Sequence, residues 1–78
     1  MVGYLAKSLA GHDKGTIYII IEETETDVLL ADGKGKTLEH PKKKNKKHIQ
    51  VIRKENPIDT NEAIKFSIKE YLRRTMDV

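Results

Sequence analysis

From Thr16 to Ile21 the chain reads Thr-Ile-Tyr-Ile-Ile-Ile, six residues that are all β-branched or aromatic. Such a run is too short for an independent helix, and its side chains suit a packed, pleated surface, so it predicts a strand. Its surroundings narrow the fold further. Gly11-His12-Asp13-Lys14-Gly15 precedes it as a turn in which two glycines can take positive φ. Upstream, Val2 to Ala10 is a mixed apolar stretch that predicts a first strand. Downstream, Glu22, Glu23 and Glu25 close the Ile-rich run, and Asp27 to Ala31 predicts a third strand. Asp32-Gly33 is a hairpin-turn dipeptide, which makes Lys36 to Glu39 the expected fourth.

Pro41 opens a different regime. Pro41 to Lys47 has no apolar residue after the proline and reads as a loop or solvated ribbon. His48 to Arg53 alternates, which predicts a half-buried strand with Ile49 and Val51 on one face and Ile52 on the other, under the C-terminal element. Asn56-Pro57 breaks the chain. Asp59-Thr60-Asn61-Glu62 has the form of a capping box with Asp59 as N-cap. Ile64, Ile68, Tyr71 and Leu72 then share one helical face, predicting a helix from about Thr60 to Thr75 with these side chains buried. Tyr71 and Phe66 are expected to serve helix packing, although Phe66 falls off that stripe. The expected fold class is therefore mainly β: a small SH3-like antiparallel barrel of about five strands over residues 1–55, with one C-terminal α-helix over residues 56–78 packed on it as a single domain.

A chain of 78 residues buries only about 60% of its unfolded surface and has little room for a catalytic cleft. The absence of cysteine excludes disulfides and Cys-based metal sites. No apolar run approaches the roughly 18 residues that cross a bilayer, and no signal-type N-terminus is present, so the expected address is cytoplasmic, without a membrane partner. Charge is the telling quantity. Lys34 to Lys54 holds nine of the fifteen basic residues and one acid, Glu39, while the rest of the chain carries eleven of the twelve acids. A local surplus of eight positive charges on an acidic body points to a polyanion, of which nucleic acid is the commonest.

The stretch SLAGHDKGTIYIII resembles a KOW motif, in which a strand leads through a turn with a basic residue and a characteristic glycine into a β-branched strand. The likeness continues through VLLADGKGKTLEHPKKKNKKHIQVI and covers roughly Val2 to Ile52. The chain is similar to the small stand-alone KOW-domain proteins of Gram-positive bacteria, and through them to KOW-type large-subunit ribosomal proteins of archaea and eukaryotes. The resemblance implies an SH3-like barrel that binds RNA in a ribosomal or transcriptional setting, with ribosomal or transcription-complex proteins as further partners and a role in translation. By position, the KOW turn is Gly11, His12, Asp13, Lys14 and Gly15, and Gly15 matches the characteristic glycine.

The residues expected to contact RNA are Lys14, Lys34, Lys36, Lys42, Lys43, Lys44, Lys46, Lys47 and His48. The run Lys42 to Lys47 offers five flexible ammonium groups, and displacing condensed counterions from phosphates needs no fixed geometry. The bland alternative for this run is a solvated loop that adds only solubility. His12, His40 and His48 invite a metal, but no two sit at i, i+4 on a helix, and His40 and His48 flank five lysines that repel a cation; no metal or cofactor is expected. Asp13, Glu22, Glu23, Glu25, Asp27 and Asp32 lie in turns and strand ends, where water keeps carboxylates ordinary, and Ser8 and Ser67 lie in no nucleophile elbow. No enzyme is expected. Aromatics number only four, too few for a single-strand stacking platform, which favours structured RNA. The alternative from another class is an SH3-like protein-interaction module whose basic face takes an acidic partner.

Overall fold

The computed structural model describes residues 1–76. These residues form five strands, one 3-10 turn and one α-helix: β1 (Leu5–Ser8), β2 (Ile17–Glu23), β3 (Asp27–Ala31), β4 (Lys42–Asn45), the 3-10 turn Lys46–His48, β5 (Ile49–Ile52) and α1 (Asn61–Met76). The last two residues of the expected C-terminal span lie outside the described residues. All pairings are antiparallel, in the order β4-β3-β2-β1-β5.

The two edges of this sheet, β4 and β5, are consecutive in the chain and joined by the three-residue 3-10 turn. Flat, the edges of five strands would stand about 19 Å apart. A three-residue 3-10 turn advances only about 6 Å. The sheet must therefore curl, and it does so in the manner of a small SH3-like barrel. Curling creates an inside and an outside. Ala6, Tyr18, Ile20, Val28, Leu30 and Ile49 fill the inside, with Tyr4 and Val51 at its margin. Leu5, Ile17, Ile19 and Ala31 point outward and are covered by Ile64 and Ile68 of α1. The central strand β2 is thus buried on both faces from Ile17 to Ile20, which explains why its first part is continuously apolar and does not alternate. Ile52 faces the helix side and Ile49 and Val51 the interior, as their alternation predicts.

Four expectations are corrected. Lys36 to Glu39 is not a strand, because its backbone hydrogen-bonding groups are used elsewhere. The Lys36 carbonyl accepts from the Asp32 and Gly33 amides, and the Leu38 amide donates to Asn61 Oδ1 at 2.8 Å, tying this loop to the start of α1. The place beside β3 belongs to Lys42–Asn45, so most of the lysine run is an ordered edge strand and neither loop nor solvated ribbon. Lysine is a common guard on exposed sheet edges. At the helix, the cap is Thr60, whose Oγ1 accepts from the Ala63 amide at 3.0 Å, while Asp59 is exposed. Finally, Leu72 is 41% exposed, because it sits at the flank of the stripe centred on Ile64, Ile68 and Tyr71.

No helix among the described residues is long and apolar enough to cross a membrane.

Candidate nucleic-acid interface

The turn between β1 and β2 is built on backbone hydrogen bonds. The Ser8 amide donates to the Thr16 carbonyl at 2.9 Å, the Gly15 amide to the Ser8 carbonyl at 2.8 Å, and the Thr16 amide to the Asp13 carbonyl at 2.9 Å. Gly11 and Gly15 both hold positive φ, at 87° and 92°, a region L-residues rarely visit. This geometry folds Asp13 back over the end of the barrel. Its Oδ1 accepts from Ser8 Oγ at 2.9 Å and Lys44 Nζ at 2.8 Å; its Oδ2 accepts from the Tyr18 hydroxyl at 2.8 Å and lies 3.3 Å from Lys42 Nζ. Lys44 Nζ also donates to the Ala10 carbonyl at 2.9 Å.

The register explains why these lysines arrive there. Lys42 pairs with Leu30 and Lys44 with Val28, so both sit on the interior face of the curled sheet. Their aliphatic stems extend the core while their ammonium groups reach the turn. Lys43, paired with Leu29, sits on the opposite face and is exposed.

Asp13 is therefore no ordinary solvated carboxylate. Its side chain is 13% exposed and that of Lys44 is 11% exposed. Burial pushes the Asp13 carboxyl up, but hydrogen bonds from Lys44, Tyr18, Ser8 and Lys42 outweigh it and hold the group well below the usual carboxylate range. The Tyr18 phenol is pushed far up, first by burial and then by its bond to Asp13. A second ion pair joins Lys46 Nζ to Glu23 Oε2 at 2.7 Å, with the N-terminal ammonium on Glu23 Oε1 at 2.9 Å. Hydrogen bonds from Lys46 and then from the N-terminal ammonium lower the Glu23 pKa, outweighing the opposing effect of desolvation.

These pairs divide the expected contact residues. Lys42, Lys44 and Lys46 are held by carboxylates. Lys14, Lys34, Lys36, Lys43 and Lys47 are exposed and have no carboxylate partner among the described residues. Asn45 Oδ1 accepts from the Lys47 amide at 3.0 Å and fixes the 3-10 turn that carries Lys47 and half-buried His48. Between this turn, β4 and the KOW-like turn lies a shallow hollow of about 400 Å³, lined by Ala10, Gly11, Lys43, Lys44, Asn45 and His48. It is shallow and open, and exposed Lys43 at its rim is free to meet a phosphate group.

Lys34 is placed elsewhere. Asp32 Oδ1 accepts from the Lys34 amide at 3.0 Å and the Lys36 amide at 2.8 Å, which shapes the turn that carries both lysines. Lys34 lines a second hollow together with Lys65 and Lys69 of α1. Those two helical lysines were absent from the expected set. Their i, i+4 spacing was visible in the sequence, but nothing local says that the Asp32-Gly33 turn lies beside them. His12 and His40 are exposed, and no group of three or more His, Asp or Glu residues gathers among the described residues. Tyr4 and Tyr18 belong to the barrel interior and Tyr71 packs toward α1's buried side, so the lysine-rich surface carries no aromatic ring from them.

Compared with known proteins, the chain matches no family model and no curated protein.

Proposed function

We propose that this is a non-enzymatic RNA-binding protein of the KOW type, acting in the cytoplasm on structured RNA in a ribosomal or translational setting. The observation that carries the reading is the clamp on Asp13. It fastens the lysine-bearing strand β4 to the turn, and so sets Lys43 beside the open hollow at Gly11, with exposed Lys47 on the next turn and Lys14 on the glycine turn. Binding by such a surface is positional. Lysine is a point charge that follows phosphate geometry and specifies bases poorly. Three of the five lysines in the run are engaged internally, so the other two, with Lys14 of the turn as a third cation, meet the RNA, and the engaged three set their placement.

The test is fluorescence anisotropy with a hairpin RNA across a salt series. Two or three phosphate contacts give a slope of log K against log salt of about −1.4 to −2.7. The double variant Lys43→Gln, Lys47→Gln is expected to remove most of the affinity at unchanged melting temperature. If the protein fails to bind hairpin RNA at low salt, or instead captures acidic peptides through the same lysines, the RNA reading is wrong and a protein-interaction module takes its place.

A further inference from the structure

The KOW-like turn is a ridge between two hollows. Gly11 lines the one beside β4, and Gly15 lines the other, of about 380 Å³, which lies between the start of β2, the Asp32 turn and α1. That second volume falls within the range of small-ligand sites, about 300–1,000 Å³. Its chemistry differs from the first. Ile17, Ile68 and Leu72 present apolar surface to it, and Lys34, Lys65 and Lys69 supply three cations against the single carboxylate of Asp32. Leu72 is 41% exposed at this place, in a domain too small to leave apolar area unused without consequence. A Cβ added at Gly15 would meet nothing within 4 Å, so the backbone of the ridge is open to close approach.

We propose that this hollow takes one unpaired nucleotide of the bound RNA, with the base against Ile17, Ile68 and Leu72 and its flanking phosphates on Lys34, Lys65 and Lys69. The inference rests on the RNA reading above and adds a second site to it. A phosphate alone gains nothing from an aliphatic wall, and a base alone gains nothing from three ammonium groups. A splayed-out nucleotide uses both, as extruded bases do in apolar pockets. Asp32 decides between this occupant and an acidic peptide. Its Oδ1 already accepts the Lys34 and Lys36 amides, and neither bond uses Oδ2. A free carboxylate oxygen accepts from the N–H edge of a base, a donor that the acidic side chains of a peptide lack. The shared ridge supplies the route, because a strand crossing the KOW-like turn passes from the lysine-rich hollow directly into this one.

The experiment compares three hairpins of one sequence: fully paired, with a single-nucleotide bulge in the stem, and with the same bulge abasic. Each is titrated against wild type, Leu72→Asp, the pair Lys65→Gln and Lys69→Gln, and the pair Lys43→Gln and Lys47→Gln. Leu72 is exposed, so its substitution is expected to leave the melting curve unchanged. Wild type is expected to bind the bulged hairpin about tenfold more tightly than the paired and abasic forms. Leu72→Asp erases that preference and leaves affinity for the paired hairpin within about twofold. A 2-aminopurine base at the bulge changes its fluorescence on binding wild type and not on binding Leu72→Asp. Equal affinity for all three hairpins, lost with Lys43 and Lys47, would overturn this site while leaving the first interface standing. Failure to bind any hairpin overturns both. Binding of an acidic, leucine-containing peptide that Leu72→Asp abolishes would assign the hollow to a protein partner and likewise overturn the proposal.

Discussion

Replacing Asp13 with asparagine tests the central piece of this structure. The carboxylate receives Ser8, Tyr18 and Lys44 at 2.8–2.9 Å and Lys42 at 3.3 Å. Asparagine keeps one acceptor oxygen and turns the other into a donor, so the two groups at one side of the carboxylate lose their acceptor. Lys44, 11% exposed, is left with the Ala10 carbonyl and no counter-charge. A hydrogen bond to a charged group contributes about 1.5–3 kcal/mol, and an unsatisfied buried donor costs about 1–3 kcal/mol. Lys42, 33% exposed, is largely screened and adds little. The expected loss is about 2–4 kcal/mol, a large part of the stability of a domain this size. In a thermal melt followed by circular dichroism it corresponds to roughly 10–30 °C at neutral pH. The sign with pH follows from the lowered carboxyl. Its stabilisation is fully present above the unfolded-state value near pH 4 and is lost as pH falls toward the folded-state value, with a slope of at most about 1.4 kcal/mol per pH unit. The gap between wild type and Asp13→Asn is therefore constant from about pH 5 upward and shrinks below about pH 4. A double-mutant cycle with Lys44→Met isolates the pair. A gap under about 0.5 kcal/mol at pH 7, or one that widens in acid, refutes the reasoning.

Three further outcomes are expected. At Gly33, φ is +83° and a Cβ would press on the Asn61 carbonyl and lie 2.9 Å from the Lys65 amide nitrogen and Cβ; Gly33→Ala is expected to lower stability by about 2–4 kcal/mol in urea unfolding, from backbone strain and displacement of α1. Thr60→Ala removes the helix cap and is expected to cost about 1 kcal/mol, whereas Asp59→Ala changes the melting curve by less than about 0.5 kcal/mol; the reverse ranking would restore Asp59 as the cap. Ile64 is 0% exposed and Leu72 41%, so Ile64→Ala is expected to cost about 2–5 kcal/mol and Leu72→Ala under about 0.5 kcal/mol by the same melts.

The limits of local reading show most clearly in the lysine run. Its composition pointed to a polyanion partner, because the count of charges over a short window is read without knowing the fold. The same composition suggested loop or ribbon, because no single residue there is apolar. Strand β4 exists because β3 lacked a partner on that side and because Asp13, some thirty residues earlier in the chain, receives the ammonium groups of Lys42 and Lys44. The bond from Lys44 to Asp13 spans 31 positions, and no pattern of three or four residues records it. The same distance hides the ordinary-looking Asp13 from a reading that sees only a turn.

What the sequence determined by itself is what short-range physics controls. The β-branched run Thr16–Ile21 could only be a strand, Gly11 and Gly15 could only serve a turn needing positive φ, and the spacing of Ile64 and Ile68 could only be one helix face. The alternation of Ile49, Val51 and Ile52 likewise announced two covered faces. Tertiary structure alone decided which strand lies beside β3, which lysines are neutralised and which remain free, and that Lys34 meets Lys65 and Lys69 across a hollow. The physical reason is that backbone propensity and periodicity act over a few residues. Ion pairs, register and hollows are set instead by the curl of the sheet, which brings distant segments together only once the whole chain has folded.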